Sequence, residues 1–543
     1  MKQGQITARS TAELRPLRRE RRRKALEQAL DQAWLQLLKA RQPIDRKALA
    51  GQHQQRLQQL IDLAAGHCEL QDLDDGLQQS LQSLHLGHDR GDLRHRLEEL
   101  GQWDPHRLVA MERSAWSHGF SAALKVEAEH LLSLSDRPQP GDDTRLDLSG
   151  QHCVTIDDDD TRDIDDGLAL ERHTDGRLRL WIHVADPGRL VPPDSPLDLE
   201  ARRRGSSLYL ASGMLPMFPE PLCTGPFSLR AGQRCAALST WVELAADGAI
   251  AASGVVRSWV RPSFRLSYSD ADELIDLAPP EEPDLAELDQ LLERRRRWRV
   301  RQGALLLDLP EGRIRNRDGK PVLEVSEPSP ARLLVAEAMI LAGAVAAHFA
   351  CEHQLALPFR SQLPADLPPA RELEALPAGA VRFAAIKRCL SRGLMGTQPC
   401  PHFSLGLEAY AQATSPIRRY GDLLVQRQIV AQLEGGSPLS SEQLQDLLTP
   451  VEAAVREGIQ IARDDQRHWQ QVWFEAHKGE QWRAQFLRWL RPGDHLGLLR
   501  IDELALDVAA DCPAHSQPGD ALLLRVQQVD SLRDLLRLVA SAS

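Results

Sequence analysis

TIDDDDTRDIDDG, Thr155 to Gly167, places seven aspartates in thirteen residues with one arginine among them. Like charges this close repel one another, so the segment is either solvated or holds cations. Its flanks oppose a freely solvated loop. CVTI (Cys153–Ile156) before it and LALE (Leu168–Glu171) after it are apolar runs with strand character, and Ile164 interrupts the acids. A loop between two strands is held by a β scaffold, which can fix convergent carboxylates. Such hard oxygen donors suit Mg²⁺ or Mn²⁺, and two such ions serve phosphoryl chemistry. An EF-hand calcium loop does not fit. Starting at Asp157 puts Arg162 where glycine is required, and starting at Asp163 puts Gly167 one place early. A structural cation site and a catalytic metal site both remain open on the residues alone.

The surrounding chain reads as an α+β protein in three parts. Residues 1–140 carry helical periodicity. Leu26, Leu30, Ala33 and Leu37 repeat within a helix expected over Leu17–Leu38, and further helices are expected over Arg46–Ala65, Gln78–Leu84, Leu93–Leu100 and Arg107–Leu132. This helical region is a candidate helix-turn-helix-like RNA-binding domain. RPLRRERRRK (Arg15–Lys24) makes its start basic, as a solvated helix face or an RNA-contacting arm. DRPQPGDD (Asp136–Asp143) is a linker by composition. Residues 145–475 mix short strands with long helices. Asp175-Gly176 marks a hairpin turn, Ser329-Pro330 opens a long helix and Ser415-Pro416 opens another. Leu439–Phe474 reads as a helical hairpin. Residues 480–543 alternate short β-like runs with RPGD and QPGD turns, which suits a small OB-fold-like barrel with an RNA-binding role.

The 543-residue chain is 42% apolar and 26% charged, enough to bury ordinary cores. A formal net charge of −11 argues against a protein that coats nucleic acid by charge alone, but leaves room for a local basic channel. Eight scattered cysteines without a CxxC pair argue against a structural zinc site and read as free thiols of a reducing compartment. No apolar stretch of about 18 residues is expected to span a membrane. The expected location is cytoplasmic.

Several segments follow the aspartate run in an order that resembles the catalytic domain of the ribonuclease II family, the RNB exoribonucleases. The run has that family's spacing, an Asp six residues before an Asp-x-Asp-Asp. WIHVADPGRLVPPDSPLDLEARRRGSSLYL (Trp181–Leu210), LPMFPEPLCTGPFSLRAGQRCAALS (Leu215–Ser239), RQGALLLDLPE (Arg301–Glu311), RLLVAEAMILA (Arg332–Ala342) and HFSLGLEAYAQATSPIRRYGDLLVQRQ (His402–Gln428) continue it. The resemblance covers roughly residues 145–475. It implies a mixed α/β RNB catalytic domain that hydrolyses single-stranded RNA processively from its 3′ end to 5′-mononucleotides, with Mg²⁺ or alternatively Mn²⁺. It implies Asp157, Asp163 and Asp166 as metal ligands and Asp165 as the catalytically essential aspartate. Tyr209 would pack on the 3′-terminal nucleotides and fix the end-product length. Phe359 would stack on bases farther along, and Arg418 would contact phosphate at the cleavage site.

The residues themselves agree in part. A helix opened by Ser415 and Pro416 presents amides that favour an anion, with Arg418 in its first turn. Arg419 suits either an RNA contact or a salt bridge to Asp422. Tyr209 and Phe359 alone would read as core aromatics. The sequence also departs from the family. Residues 1–140 are helical where cold-shock OB-folds are usual, Arg463 stands in place of a common Glu, Gln426 of a common His, and Gly167 of a usual Ala. Single-stranded RNA is the expected partner and a monomer the expected state. The competing reading is an RNB-like RNA-binding protein with weak or no nuclease activity.

Overall fold

A computed structural model of the chain describes residues 11–86 and 89–542. The first ten residues of the expected 1–140 region lie outside the described residues. The chain divides into two compact units. One runs to Val109 and takes in Gln470–Gly479 and Val526–Arg537. The other takes in Ala110–Trp469, Glu480–Arg525 and the C-terminal end. The division therefore falls inside the region 1–140.

In the smaller unit, helices α1 (Thr11–Ala40), α2 (Gly51–Ala65), α3 (Asp75–Ser83) and α4 (Arg90–Glu99) enclose a core of Trp34, Leu38, Leu57, Leu60, Leu77, Leu93 and Leu97. Among the described residues of α1, only the C-terminal part packs there. Arg15–Ala29, which includes the basic block, is exposed along its length.

In the larger unit, α5 (Ala122–Leu134) packs on α6 (Pro196–Arg204) and α7 (Glu220–Cys223). Residues 107–121, expected as the start of α5, form no α-helix: Val109–Met111 is a short 3-10 turn and the rest is irregular. Gly119 turns the backbone at φ 64, and the Ser121 side chain then caps α5 by accepting from the Leu124 N–H. Next come the strands β1 (Leu146–Asp147), β2 (Cys153–Asp157), β3 (Asp166–Arg172), β4 (Leu178–Ala185), β5 (Leu208–Leu210), β6 (Gly213–Leu215), β7 (Cys235–Leu244), β8 (Ile250–Val260) and β9 (Pro262–Ser267). Seven of these form one sheet in the order β1-β8-β7-β4-β3-β2-β9, while β5 and β6 form a separate small hairpin. The β3–β4 hairpin turns at Gly176, φ 84, as its Asp-Gly pair predicts.

Helices α8 (Tyr268–Leu277), α9 (Asp284–Arg301) and α10 (Pro330–Glu352) share a core with the sheet, through Val154, Ile156, Leu168, Ile182, Leu288 and Leu341 among others. Ser329 caps α10 ahead of Pro330, as expected. By length and composition α10 is apolar enough to cross a membrane, against the sequence expectation, but most of it is buried inside this unit as a core helix. Strands β10 (Glu311–Arg317) and β11 (Lys320–Ser326) form a hairpin between α9 and α10. Beyond α10 lie β12 (Phe359–Ser361), α11 (Ala370–Ala375), α12 (Ala380–Cys389), β13 (Leu394–Gly396), α13 (Tyr420–Leu433) and α14 (Ser441–Ala476).

Two expectations change here. Leu439–Phe474 is not a helical hairpin: α14 is one continuous helix of 36 residues. Its buried stripe, Leu444, Leu448, Val451, Ile461, Trp469 and Trp473, keeps helical spacing throughout. Gly458, in the middle of the helix, admits the Trp116 ring, which would lie 3.1 Å from an added Cβ. Likewise, no helix starts at Ser415-Pro416, because α13 begins at Tyr420. The C-terminal strands β14 (Gln481–Arg491), β15 (Leu496–Ile501), β16 (Leu506–Asp511), β17 (Ala521–Asp530) and β18 (Leu535–Ala542) close a barrel in the order β14-β15-β16-β18-β17, as the turn spacing predicts.

Candidate active site

Antiparallel pairing of β2 with β3 brings the end of one strand and the start of the other to the same end of the sheet. Asp157 closes β2 and Asp166 opens β3, with Asp163 and Asp165 on the loop between. The loop is tightly held. Ile164 is buried in a cluster with Val191, Met217, Phe218 and Ile417. Its N–H donates to Ser228 Oγ at 2.9 Å, and its carbonyl accepts from the Leu229 N–H at 3.0 Å. The Ala185 N–H donates to the Asp165 carbonyl at 2.8 Å. Burying one isoleucine contributes about 1.5–3 kcal/mol, enough to offset part of the repulsion between the acids on either side of it. On the outer side, Arg265 Nη2 donates to the carbonyls of Asp158, Asp159 and Thr161 at 3.2, 3.0 and 2.6 Å.

The segment Thr414–Tyr420 faces this loop. Ile417 belongs to the same buried cluster as Ile164, so each isoleucine anchors its charged neighbours. The Ile417 N–H donates to Asp165 Oδ1 at 3.1 Å, and Arg418 Nε lies 3.0 Å from Asp165 Oδ2. That ion pair is not aligned as a hydrogen bond, which leaves Asp165 Oδ2 buried without a donor. Arg418 also donates through Nη2 to Ser415 Oγ at 3.1 Å and interacts with the Tyr209 hydroxyl. The expected helix start is replaced by a single turn, in which the Arg418 and Arg419 N–H groups both donate to the Ser415 carbonyl. Asp422 explains the turn: from the first turn of α13 its Oδ2 reaches back to accept from the Ser415 N–H at 2.9 Å. Arg419 closes the arrangement, with Nε at 3.0 Å and Nη2 at 2.6 Å from the two Asp422 oxygens. Of the two roles open to Arg419, the salt bridge is the one formed.

The four aspartates share an electrostatic burden. Asp165 is only 3% exposed. Burial pushes its carboxyl up to about 7, against the pull of Arg418 and the Ile417 N–H. Burial, followed by the charges of Asp157 and Asp165, pushes Asp166 up to about 8. Asp157 is pushed up to about 6 and Asp163 is also raised, in each case chiefly by burial. Asp158 differs, pairing at the surface with Arg332 at 2.7 Å.

The donor set suits a divalent cation. It offers hard carboxylate oxygens, mutual repulsion that a cation relieves, and one buried oxygen without a donor. Among the described residues, no three His, Cys, Asp or Glu side chains already converge into a coordination shell. These side chains would have to converge as the ion binds.

The aromatic residues separate. Tyr209 lies on β5 and is 47% exposed, beside Arg418. Phe359 is 1% exposed in the core with Leu357, Ala411 and Val425. Its ring is a packing residue, not the surface for stacking bases that the resemblance implied. The burial of β12 against the 411 segment decides this, and a lone aromatic letter does not reveal it.

Tyr268 is a neighbour that the sequence reading does not single out. It follows Ser267, which pairs with Asp157 across β9 and β2. Burial, followed by the charges of Asp166 and Asp157, pushes its hydroxyl up to about 12, and the Arg332 guanidinium lies 4.0 Å over its ring. Only the long-range parallel pairing places it there, so no local motif signals it. Of the departures, Arg463 points to solvent, while Gln426 is buried and donates to the Ala185 carbonyl at 3.0 Å.

Together these features define an α+β protein with an acidic site at a sheet end, faced by an arginine-bearing turn. Residues 145–435 match the RNB domain, and the chain belongs to that family. It is 44% identical over 443 residues to an uncharacterized ribonuclease of Synechocystis sp., covering 81% of this chain and 66% of that protein. It is 34% identical over 450 residues to the chloroplastic/mitochondrial ribonuclease II of Arabidopsis thaliana, covering 81% of this chain and 55% of that protein. The chain thus spans less than two thirds of the length of these relatives. Among solved structures, Mycoplasma genitalium RNase R in complex with ribose-methylated single-stranded RNA shares the fold, with a TM-score of 0.69 at 18% identity over 81% of this chain and 78% of that one.

Proposed function

We propose that the protein is a 3′-to-5′ exoribonuclease that hydrolyses single-stranded RNA processively to 5′-mononucleotides, with Mg²⁺ or Mn²⁺, in RNA decay or processing. The observation that carries this reading is the meeting of the aspartate loop and the Arg418 turn through the Asp165–Arg418 pair, with Tyr209 beside it. Asp157, Asp163 and Asp166 would hold the cation. When bound, it supplies Lewis acidity and charge neutralisation at the scissile phosphodiester. Asp165 orients the groups around it and keeps Arg418 at the site, where the guanidinium offsets charge that develops on the phosphate. Tyr209, exposed and next to Arg418, offers a ring on which a terminal base stacks without sequence preference. Likeness to proteins named ribonuclease II and RNase R supports the same reading.

A binding protein without nuclease activity has no use for four carboxylates held together against burial and mutual repulsion. The test is Asp165→Asn. We expect loss of mononucleotide release with RNA binding retained, and turnover at the wild-type rate would refute the assignment.

A further inference from the structure

The strand that carries Tyr209 is fixed at both ends. At its N-terminal side the backbone is tied to the Arg418 turn: the Ser207 N–H donates to the Arg418 carbonyl at 2.9 Å, and the Tyr420 N–H donates to the Gly205 carbonyl at 2.9 Å. Ser206 also forms a bridge with Arg419. These ties place one end of β5 in register with the cleavage site.

At the other end, two residues after Tyr209, Ala211 is held by groups from two distant elements. Its N–H donates to Asp465 Oδ2 at 2.6 Å, and its carbonyl accepts from the Asn316 N–H at 2.9 Å. Asp465 lies on α14, 254 residues away in sequence, and is 6% exposed. It has no salt-bridge partner among the ion pairs of the described residues; its carboxylate is satisfied by Ala211 and by the Trp469 side chain. A buried carboxylate without a cation is costly, so one retained to hold the Ala211 N–H and the Trp469 side chain points to a position that matters. The neighbouring Arg463 faces solvent, so the inward-facing acid of this helix turn is Asp465.

We infer that Asp465 is a positioning residue: by clamping Ala211 it sets the distance between the Tyr209 ring and the Asp165–Arg418 centre, and so sets the length of RNA left when digestion stops. This inference rests on the exoribonuclease reading. A purely structural acid would affect stability and leave product length unchanged. A spacing residue changes where digestion stops, because a β5 end released from α14 lets Tyr209 drift relative to the cleavage site.

The experiment uses a 5′-labelled single-stranded RNA oligonucleotide with Mg²⁺, digested to completion by the full-length wild type, Asp465→Leu, Asp465→Asn, Tyr209→Ala and the Asp465→Leu/Tyr209→Ala double variant. The end products are resolved on a sequencing gel. Asp465→Leu should leave a longer limit product, approaching that of Tyr209→Ala, and the double variant should leave one no longer than Tyr209→Ala alone. Asp465→Asn retains an oxygen that can accept from Ala211 and should restore the wild-type length. Asp465→Ser, too short to reach Ala211 but polar, carries the same expectation if the leucine variant does not fold. A wild type that trims the RNA while both Asp465→Leu and Asp465→Ser stop at the same length would overturn this inference alone. A wild type that leaves the RNA intact would overturn the exoribonuclease reading and this inference with it.

Discussion

Arg418→Ala should destabilise the metal-free protein in a pH-dependent way. Arg418 lies 3.0 Å from a carboxylate oxygen that has no hydrogen-bond donor, and all four site carboxyls are lowered by its charge. Breaking a buried ion pair typically costs about 3–5 kcal/mol. The Arg418 side chain is 42% exposed, so water replaces part of the lost interaction and about 1–2 kcal/mol is expected. The sign follows from linkage. The Asp165 carboxyl is held above its unfolded value, so its folded form loses stability as pH rises from about 4 towards about 7. Removing Arg418 raises that carboxyl further and carries the loss beyond neutrality. At about pH 5 Asp165 is largely protonated with or without Arg418, so the variant should match the wild type closely. At about pH 8.5 the full difference should appear. Urea denaturation in EDTA at both pH values measures it. Equal destabilisation at both, or none at the higher pH, would refute the argument. With Mg²⁺ present, the same variant should lose about 10²–10³-fold in RNA hydrolysis, the usual effect of removing one charge-stabilising donor.

Three further expectations follow from the same geometry. Asp166→Asn removes a carboxyl pushed up to about 8, so the metal-free variant should be more stable than wild type at neutral pH by about 1–3 kcal/mol, with a shallower fall in stability between about pH 4 and 8, while metal-dependent hydrolysis is lost; a fall as steep as in wild type on urea titration would contradict this. Tyr209→Ala should lengthen the limit product while changing stability by less than about 1 kcal/mol, since the ring is half exposed; an unchanged ladder on a gel would mean that another group clamps the end. Phe359→Ala should cost about 3–5 kcal/mol as a core truncation yet leave the limit product of the folded fraction unchanged, and a lengthened product without loss of stability would contradict its place in the core.

The aspartate run made the sheet end legible, because apolar strands on either side leave few ways to hold seven acids. The turn and the barrel were legible from Asp175-Gly176 and from the spacing of RPGD and QPGD. Other features depend on contacts that no local pattern carries. The Ser415-Pro416 cap signal is genuine, but Asp422 reaches back and folds those residues into a turn before the helix begins. Phe359 and Tyr209 look alike as letters, and only the packing of β12 and β5 separates a core ring from an exposed one. Tyr268 and Asp465 enter through pairings across 110 and 254 residues respectively, beyond the reach of any motif read along the chain.

The most direct test is digestion of single-stranded RNA labelled at its 3′ end or at its 5′ end, with Mg²⁺ and with EDTA. The 3′ label should appear at once as mononucleotide, while the 5′ label should persist in a shortening chain that ends as a short limit oligonucleotide, and EDTA should stop both. Internal fragments, early loss of the 5′ label, digestion unaffected by EDTA, or intact RNA would contradict the account.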